Sequence, residues 1–183
     1  MKRVLVPLAP GFEEIEAVTI IDVLRRAGVE VAVAATTAGG PIEGSNGIRI
    51  TTDTLLDQMD PADFDMIVLP GGGTGVENLK KDPRVLALLG QFTARGKYIG
   101  AICAAPSLLA AAGLLSDKNV TSHPSVKELV AASSVYSEAR VVVDGTLITS
   151  RSPATAMEFA LKLAEILAGP KKVSELKQAM LAP

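Results

Sequence analysis

The only cysteine of the chain, Cys103, stands inside Gly100-Ala101-Ile102-Cys103-Ala104-Ala105-Pro106, where an apolar run of strand type meets an Ala-rich run of helical type. A tight turn at such a junction pushes the side chain outward and requires small neighbours, here Ala101 and Ala105; this is the physics of a nucleophile elbow. The start of the following helix is expected to supply free N–H groups and a positive dipole end, which lower a thiol pKa and favour the thiolate. A buried structural cysteine is the plainer alternative. Gly71-Gly72-Gly73 follows a second apolar run and could aim backbone N–H groups at an oxyanion beside Cys103. It has neither the Gly-Lys-Ser/Thr continuation of a phosphate loop nor the spacing of a dinucleotide fingerprint, and an ordinary turn is its alternative.

Glu16 lies on the stripe Glu16, Ile20, Val23 and Ala27, spaced i, i+4, i+7 and i+11 along a helix. A carboxyl on an apolar stripe faces inward, where desolvation raises its pKa and lets it donate a hydrogen bond or shuttle a proton. The alternative is a first-turn acid that complements the helix dipole, which is also how Glu13 and Glu14 read. His123, the single imidazole, follows a short strand at Asn119–Ser122 and precedes Pro124. Beside Cys103 it would offer a general base; alone in a loop it is a solvated histidine.

The elements that must position these residues alternate from end to end. Arg3–Leu8 reads as a buried first strand, broken by Pro10-Gly11. Glu13 and Glu14 open a helix to about Ala27, stopped by Gly28. Val29–Thr37 is the second strand, and Ser45-Asn46-Gly47 between Ile42 and Ile48 marks a hairpin within Pro41–Thr52. Met66–Leu69 is a wholly apolar strand, Pro83–Arg95 a helix, Lys97–Ile102 a strand, and Ala104–Ala112 a helix closed by Gly113. Val141–Thr149 folds back at Asp144-Gly145. Ser152-Pro153 then reads as N-cap and first helical position of a helix to about Leu167, and Lys171–Leu181 is a last short helix. This order predicts one α/β domain over residues 1–183, with a doubly wound, mostly parallel sheet sandwiched between helices. Ligands of such folds collect at the carboxyl ends of the strands. The Pro-Gly approach to Glu16, the glycines after Leu69 and Cys103 after Ile102 all fall there.

Composition narrows the function classes. The 183 residues are 48 % hydrophobic and 21 % charged, and 18 basic against 20 acidic side chains leave a net charge of −2. That balance gives no electrostatic case for nucleic acid or an anionic membrane. No apolar run is long enough to span a bilayer, and Met1-Lys2-Arg3 leads into too short a stretch for a signal peptide. One cysteine and one histidine exclude an intrachain disulfide and an all-protein Cys/His zinc site, so no metal is expected and a reducing cytoplasm is the default compartment. Aromatic residues at 3 %, with no Trp, argue against a stacking surface. A small soluble enzyme or small-ligand binder remains.

Taken together, Ala9-Pro10-Gly11-Phe12-Glu13-Glu14-Ile15-Glu16, Val68-Leu69-Pro70-Gly71-Gly72 and Ala101-Ile102-Cys103-Ala104-Ala105-Pro106 resemble the ThiJ/PfpI superfamily. Thr121-Ser122-His123-Pro124 and Leu147-Ile148-Thr149-Ser150-Arg151-Ser152-Pro153 match as well, and the resemblance is to the branch of the parkinsonism-associated DJ-one protein and bacterial YajL-like relatives. It implies a flavodoxin-like homodimer, paired through the first helix and the Pro41–Thr52 hairpin. Cys103 would be the nucleophile, Glu16 its protonated partner, Gly72 and Ala104 the backbone donors facing the bound oxygen, and His123 a neighbour outside any strict triad. The implied activities need no cofactor: glyoxalase conversion of methylglyoxal to lactate, deglycase action on early glycation adducts, and protection against oxidative stress. The alternative, from another class, is a redox-sensing or chaperone-like protein in which oxidation of Cys103 to the sulfinate controls partner binding.

Three departures bear on these expectations. Ala104 follows Cys103 where the protease-like branch carries a histidine, which argues against peptidase or amidotransferase chemistry. Asn46 stands where the branch usually has a hairpin arginine that reaches the partner's site. Ser152 and Ala154 flank Pro153 where a Gly-Pro-Gly run is usual.

Overall fold

Along Arg3–Leu8 the side chains of Val4, Val6 and Leu8 enter one core and that of Leu5 enters another, so this strand is buried on both faces. The computed structural model describes residues 1–38 and 40–182. In chain order the elements are β1 (Arg3–Leu8), α1 (Glu14–Arg26), β2 (Glu30–Ala35), β3 (Ile42–Glu43), β4 (Arg49–Ile50), β5 (Thr54–Leu55) and β6 (Met66–Leu69). There follow α2 (Gly73–Lys81), α3 (Pro83–Ala94), β7 (Tyr98–Ile102), α4 (Pro106–Ala111), β8 (Asn119–Val120), α5 (Lys127–Ala131) and β9 (Val135–Tyr136). The chain ends with β10 (Val141–Asp144), β11 (Leu147–Ser150), α6 (Ala156–Ala168) and α7 (Pro170–Met180).

The main sheet has the order β10-β11-β7-β6-β1-β2-β5. Every pair in it is parallel except the β10–β11 hairpin. One core lies between the sheet and α1, α6 and α7, built on Ile20, Val23, Leu24, Phe159, Leu163 and Val173. The other lies beneath α2, α3 and α4, built on Leu79, Leu88, Leu89, Phe92, Leu108 and Leu109. This is the helix–sheet–helix sandwich expected from the alternating pattern. Because strand order reverses beside β1, the loops after β1 and β6 diverge at their carboxyl ends and leave a crevice.

Several elements differ from expectation. Gly73 does not merely end a turn but begins α2, whose glycines and threonine are poor helix formers; burial of Val76 and Leu79 holds it in place. The helix after Cys103 starts only at Pro106, with Ala104 and Ala105 in the turn that precedes it. The strand expected at Asn119–Ser122 is the shorter β8, which pairs with β9 in a small separate sheet. The hairpin is present as β3–β4, closed by a Gly44 N–H to Ile48 O bond of 2.9 Å.

Candidate active site

Cys103 sits at the carboxyl end of β7 with φ +65°, a left-handed backbone that non-glycine residues adopt only under outside constraint. The constraint comes from two neighbours. Its N–H donates to Ser150 O at 3.0 Å, and its carbonyl accepts from His123 N–H at 2.8 Å. Ala101 and Ala105 are fully buried, as the crowded elbow requires, while Cys103 itself keeps 9 % of its surface exposed.

Glu16 approaches from α1. Its stripe of Ile20, Val23 and Ala27 is buried, and Glu16 has no exposed surface. Oε2 accepts from Gly71 N–H at 2.7 Å. Oε1 is sealed from solvent without an aligned hydrogen-bond partner, and the carboxyl as a whole interacts with the Cys103 thiol. Gly71 is where both side chains converge: a Cβ there would lie 2.5 Å from Glu16 Oε2 and 2.6 Å from Cys103 Cβ. Only glycine lets the two groups meet.

The electrostatics follow from dryness. Burial pushes the Glu16 carboxyl up to about 7, against the Gly71 N–H and the Cys103 thiol, which favour the carboxylate, and with Glu13 adding repulsion. Burial also pushes the Cys103 thiol up to about 12, reinforced by the charge and hydrogen bonding of Glu16, while the Ala104 and Gly72 N–H groups oppose the rise. The expected depression of this thiol pKa is therefore overturned. The α4 N-terminus comes too late in the chain and the pocket is too dry, with a carboxylate for a neighbour. Each cause that raises the thiol through Glu16 disappears when Glu16 is protonated, so the two groups titrate as a coupled pair.

Gly72, at φ +91°, and Ala104 both direct backbone N–H groups at the sulfur. His123 is close through its backbone, but its ring is committed locally: Nδ1 lies 2.8 Å from Ser125 Oγ and accepts from Ser125 N–H at 3.2 Å. The groups acting on the thiol are Glu16, Ala104 and Gly72, without the imidazole. Among the described residues no three His, Cys, Asp or Glu side chains gather as a metal site, and no helix is long and apolar enough to cross a membrane.

A family model described as the DJ-1/PfpI family matches residues 2–166. The chain belongs to the DJ-1/PfpI family. It is 47 % identical to Protein dj-1beta of Drosophila melanogaster over 181 residues, which cover 98 % of this chain and 97 % of that one. The crystal structure of Drosophila melanogaster DJ-1beta superposes with a TM-score of 0.96 at 46 % identity, covering 100 % of this chain and 98 % of the other. A Caenorhabditis elegans relative named glutathione-independent glyoxalase DJR-1.2 is 38 % identical over 177 residues, covering 96 % of this chain and 94 % of its own.

One buried polar group of this DJ-1/PfpI chain escaped the sequence reading. Glu14 reads there as a first-turn dipole partner, yet it is buried and turned into the β3–β4 hairpin. The donor-rich run Ser45-Asn46-Gly47 was the available signal, and nothing in the sequence ties it to Glu14.

Proposed function

We propose that this chain is a cofactor-independent cysteine enzyme that converts methylglyoxal and related small dicarbonyls to hydroxy acids. The observation that carries this reading is a buried carboxyl, with a pKa near 7, in contact with a thiol that receives two backbone N–H groups. The name of the Caenorhabditis elegans relative supports the same reaction class.

In this mechanism Glu16 takes the Cys103 proton, and the thiolate adds to the aldehyde carbon of methylglyoxal. Glu16 returns the proton to the alkoxide, giving the neutral hemithioacetal. The Gly72 and Ala104 N–H groups hold the oxygen while charge resides on it. The Glu16 carboxylate then removes the hydrogen of that carbon and delivers it to the neighbouring carbon by way of the enediol, leaving a lactoyl thioester on Cys103. Water cleaves the thioester to lactate and the free thiol, so the sum is methylglyoxal plus water to lactate. His123 takes no proton in this scheme. Action on early glycation adducts would follow if they present the same hemiacetal-type carbon.

The test is turnover of methylglyoxal by purified protein without glutathione or metal, with lactate quantified by chromatography. Multiple turnovers well above the free-thiol background support the reading. A rate at background would favour the redox-sensing or chaperone-like alternative. The observation behind that alternative is that Cys103 is the only cysteine and its sulfur already faces two N–H donors and a protonatable carboxyl.

The functional unit is proposed to be a homodimer. Ile15 and Val18 on α1 and Ile48 beside the hairpin turn are exposed apolar side chains that a second copy would cover. Light scattering at micromolar concentration should give twice the chain mass.

A further inference from the structure

Glu14 is the first residue of α1 and stands two residues before Glu16, but its carboxylate faces the turn between β3 and β4. It is 4 % exposed and accepts four hydrogen bonds from that turn. They come from Asn46 N–H at 2.6 Å, Asn46 Nδ2 at 2.8 Å, Ser45 Oγ at 3.2 Å and Ile48 N–H at 3.4 Å. The carboxylate lies flat on Gly44, where an added Cβ would fall 2.5 Å from Glu14 Oε1. Two backbone bonds extend the clamp: Ser45 N–H to Phe12 O and Gly11 N–H to Glu43 O, each 2.8 Å.

The segment so gripped, Gly11–Glu14, is bound on its other side to the loop at the sulfur. Glu13 N–H donates to Gly71 O and Gly75 N–H donates to Gly11 O, each at 3.0 Å. The Glu16 carboxyl has a single aligned hydrogen bond, to Gly71, and its other oxygen has none, while the Glu16 N–H is capped by Glu13 Oε2 at 2.8 Å. Its placement against Cys103 therefore depends on what fixes the first turn of α1. A carboxylate taking four donors is a directional anchor, unlike a first-turn acid that only answers the dipole from solvent.

We propose that Glu14 is a positioning residue: by clamping the first turn of α1 to the hairpin, it holds Glu16 dry and in register with Gly71 and Cys103. If the clamp opens, the first turn frays and water reaches Glu16. The carboxyl then returns toward ordinary acidity and stops exchanging a proton with the thiol. The titratable groups acting on Glu16 are Cys103 and Glu13, and Glu16 is the titratable group acting on Cys103. This role holds for any chemistry of the Cys103 thiol, including the one proposed above.

The test reads thiol reactivity rather than turnover, so it stands apart from the choice of substrate. Cys103 is alkylated with iodoacetamide across a pH series and followed by intact mass. Wild type should show a reactivity step with its midpoint at about 7, set by Glu16. Glu14→Gln removes the charge and replaces one of the two acceptor oxygens by an NH₂, which weakens the hold on the turn's donors. The midpoint should then move down by about one pH unit, with a roughly tenfold lower rate on the neutral plateau. Adding Asn46→Asp gives that NH₂ an acceptor and should return both midpoint and rate. Should Glu14→Gln not fold, Asn46→Ala, which removes one donor and keeps the carboxylate, should give a smaller shift in the same direction. A lowered melting temperature with an unmoved midpoint would assign Glu14 to stability alone and overturn the proposal. A shift that Asn46→Asp does not reverse would overturn it too.

Discussion

Glu14 and Glu16 share a residue type, a helical turn and little exposed surface, yet their surroundings shift their acidities in opposite directions. Burial works to raise both. At Glu14 it is outweighed by hydrogen bonds from Asn46, side chain and backbone, together with backbone N–H groups of Glu14 itself and Ile48, and the carboxyl ends below its ordinary value. At Glu16 only the Gly71 N–H and the Cys103 thiol oppose burial, and the carboxyl ends at about 7. The difference lies in the supply of donors and in depth: Glu14 is covered just beneath the surface, whereas Glu16 lies deep in the core. A well-supplied acid becomes a fixed anion and an anchor; a poorly supplied one becomes a group that can gain and lose a proton near neutrality.

The largest expected effect comes from removing the partner that distinguishes the Glu16 pocket. Cys103→Ser should lower kcat/KM for methylglyoxal by about a thousandfold or more, because Glu16 cannot take a proton from a serine hydroxyl as it can from a thiol. Retained activity would mean that the reaction does not pass through the Cys103 thiol. Next, Glu16→Gln should reduce turnover by about a hundredfold, since an amide can donate but cannot relay a proton. The same substitution probes the energetic side of the contrast. With a folded pKa of about 7 against an ordinary 4.5, Glu16 stabilises the fold most below pH 4.5 and loses that contribution as pH rises through 7. Glu16→Gln should thus be more stable than wild type at pH 8, by about 2–3 kcal/mol, with the gain gone below about pH 4 in urea titrations.

Glu14 should behave in the reverse sense. Its lowered pKa gives a contribution that is present above the ordinary carboxyl value and lost as pH falls through the folded one. Glu14→Gln should cost about 1–3 kcal/mol at pH 7, and less in acid, in the same urea titrations. Parallel pH slopes for the two variants would dissolve the contrast between the acids. The smallest effect is expected from His123→Ala, less than about tenfold in kcat/KM, because its Nδ1 is occupied by Ser125 and the proton route runs through Glu16. A loss equal to that of Cys103→Ser would restore a Cys–His mechanism.

What could be read from the sequence was whatever rests on local pattern. β1, β6 and β7 are apolar runs, the α1 stripe has helical spacing, and Ser45-Asn46-Gly47 closes a hairpin, so these elements and the inward turn of Glu16 were legible. The missing ones, α2, β5, α5 and β9, are short or rich in weak formers, and they exist because buried side chains such as Val76, Leu79 and Val130 hold them. The direction of the Cys103 pKa was misread for a related reason. A helix start is visible in sequence, whereas the dryness contributed by α1 and Gly71 depends on residues far away in the chain. Glu14 was misread because its four donors lie more than thirty positions ahead.

The left-handed backbone at Cys103 has a consequence for the inheritance of this fold. Such a conformation costs about 1–3 kcal/mol for a residue with a Cβ, and every folded molecule carries that cost whether or not it meets a reactive carbon. Glycine would relieve it at once. In a descendant freed from thiol chemistry, drift should therefore carry position 103 toward glycine and leave a sturdier, silent protein. A cysteine that persists there is a running record of selection for its sulfur.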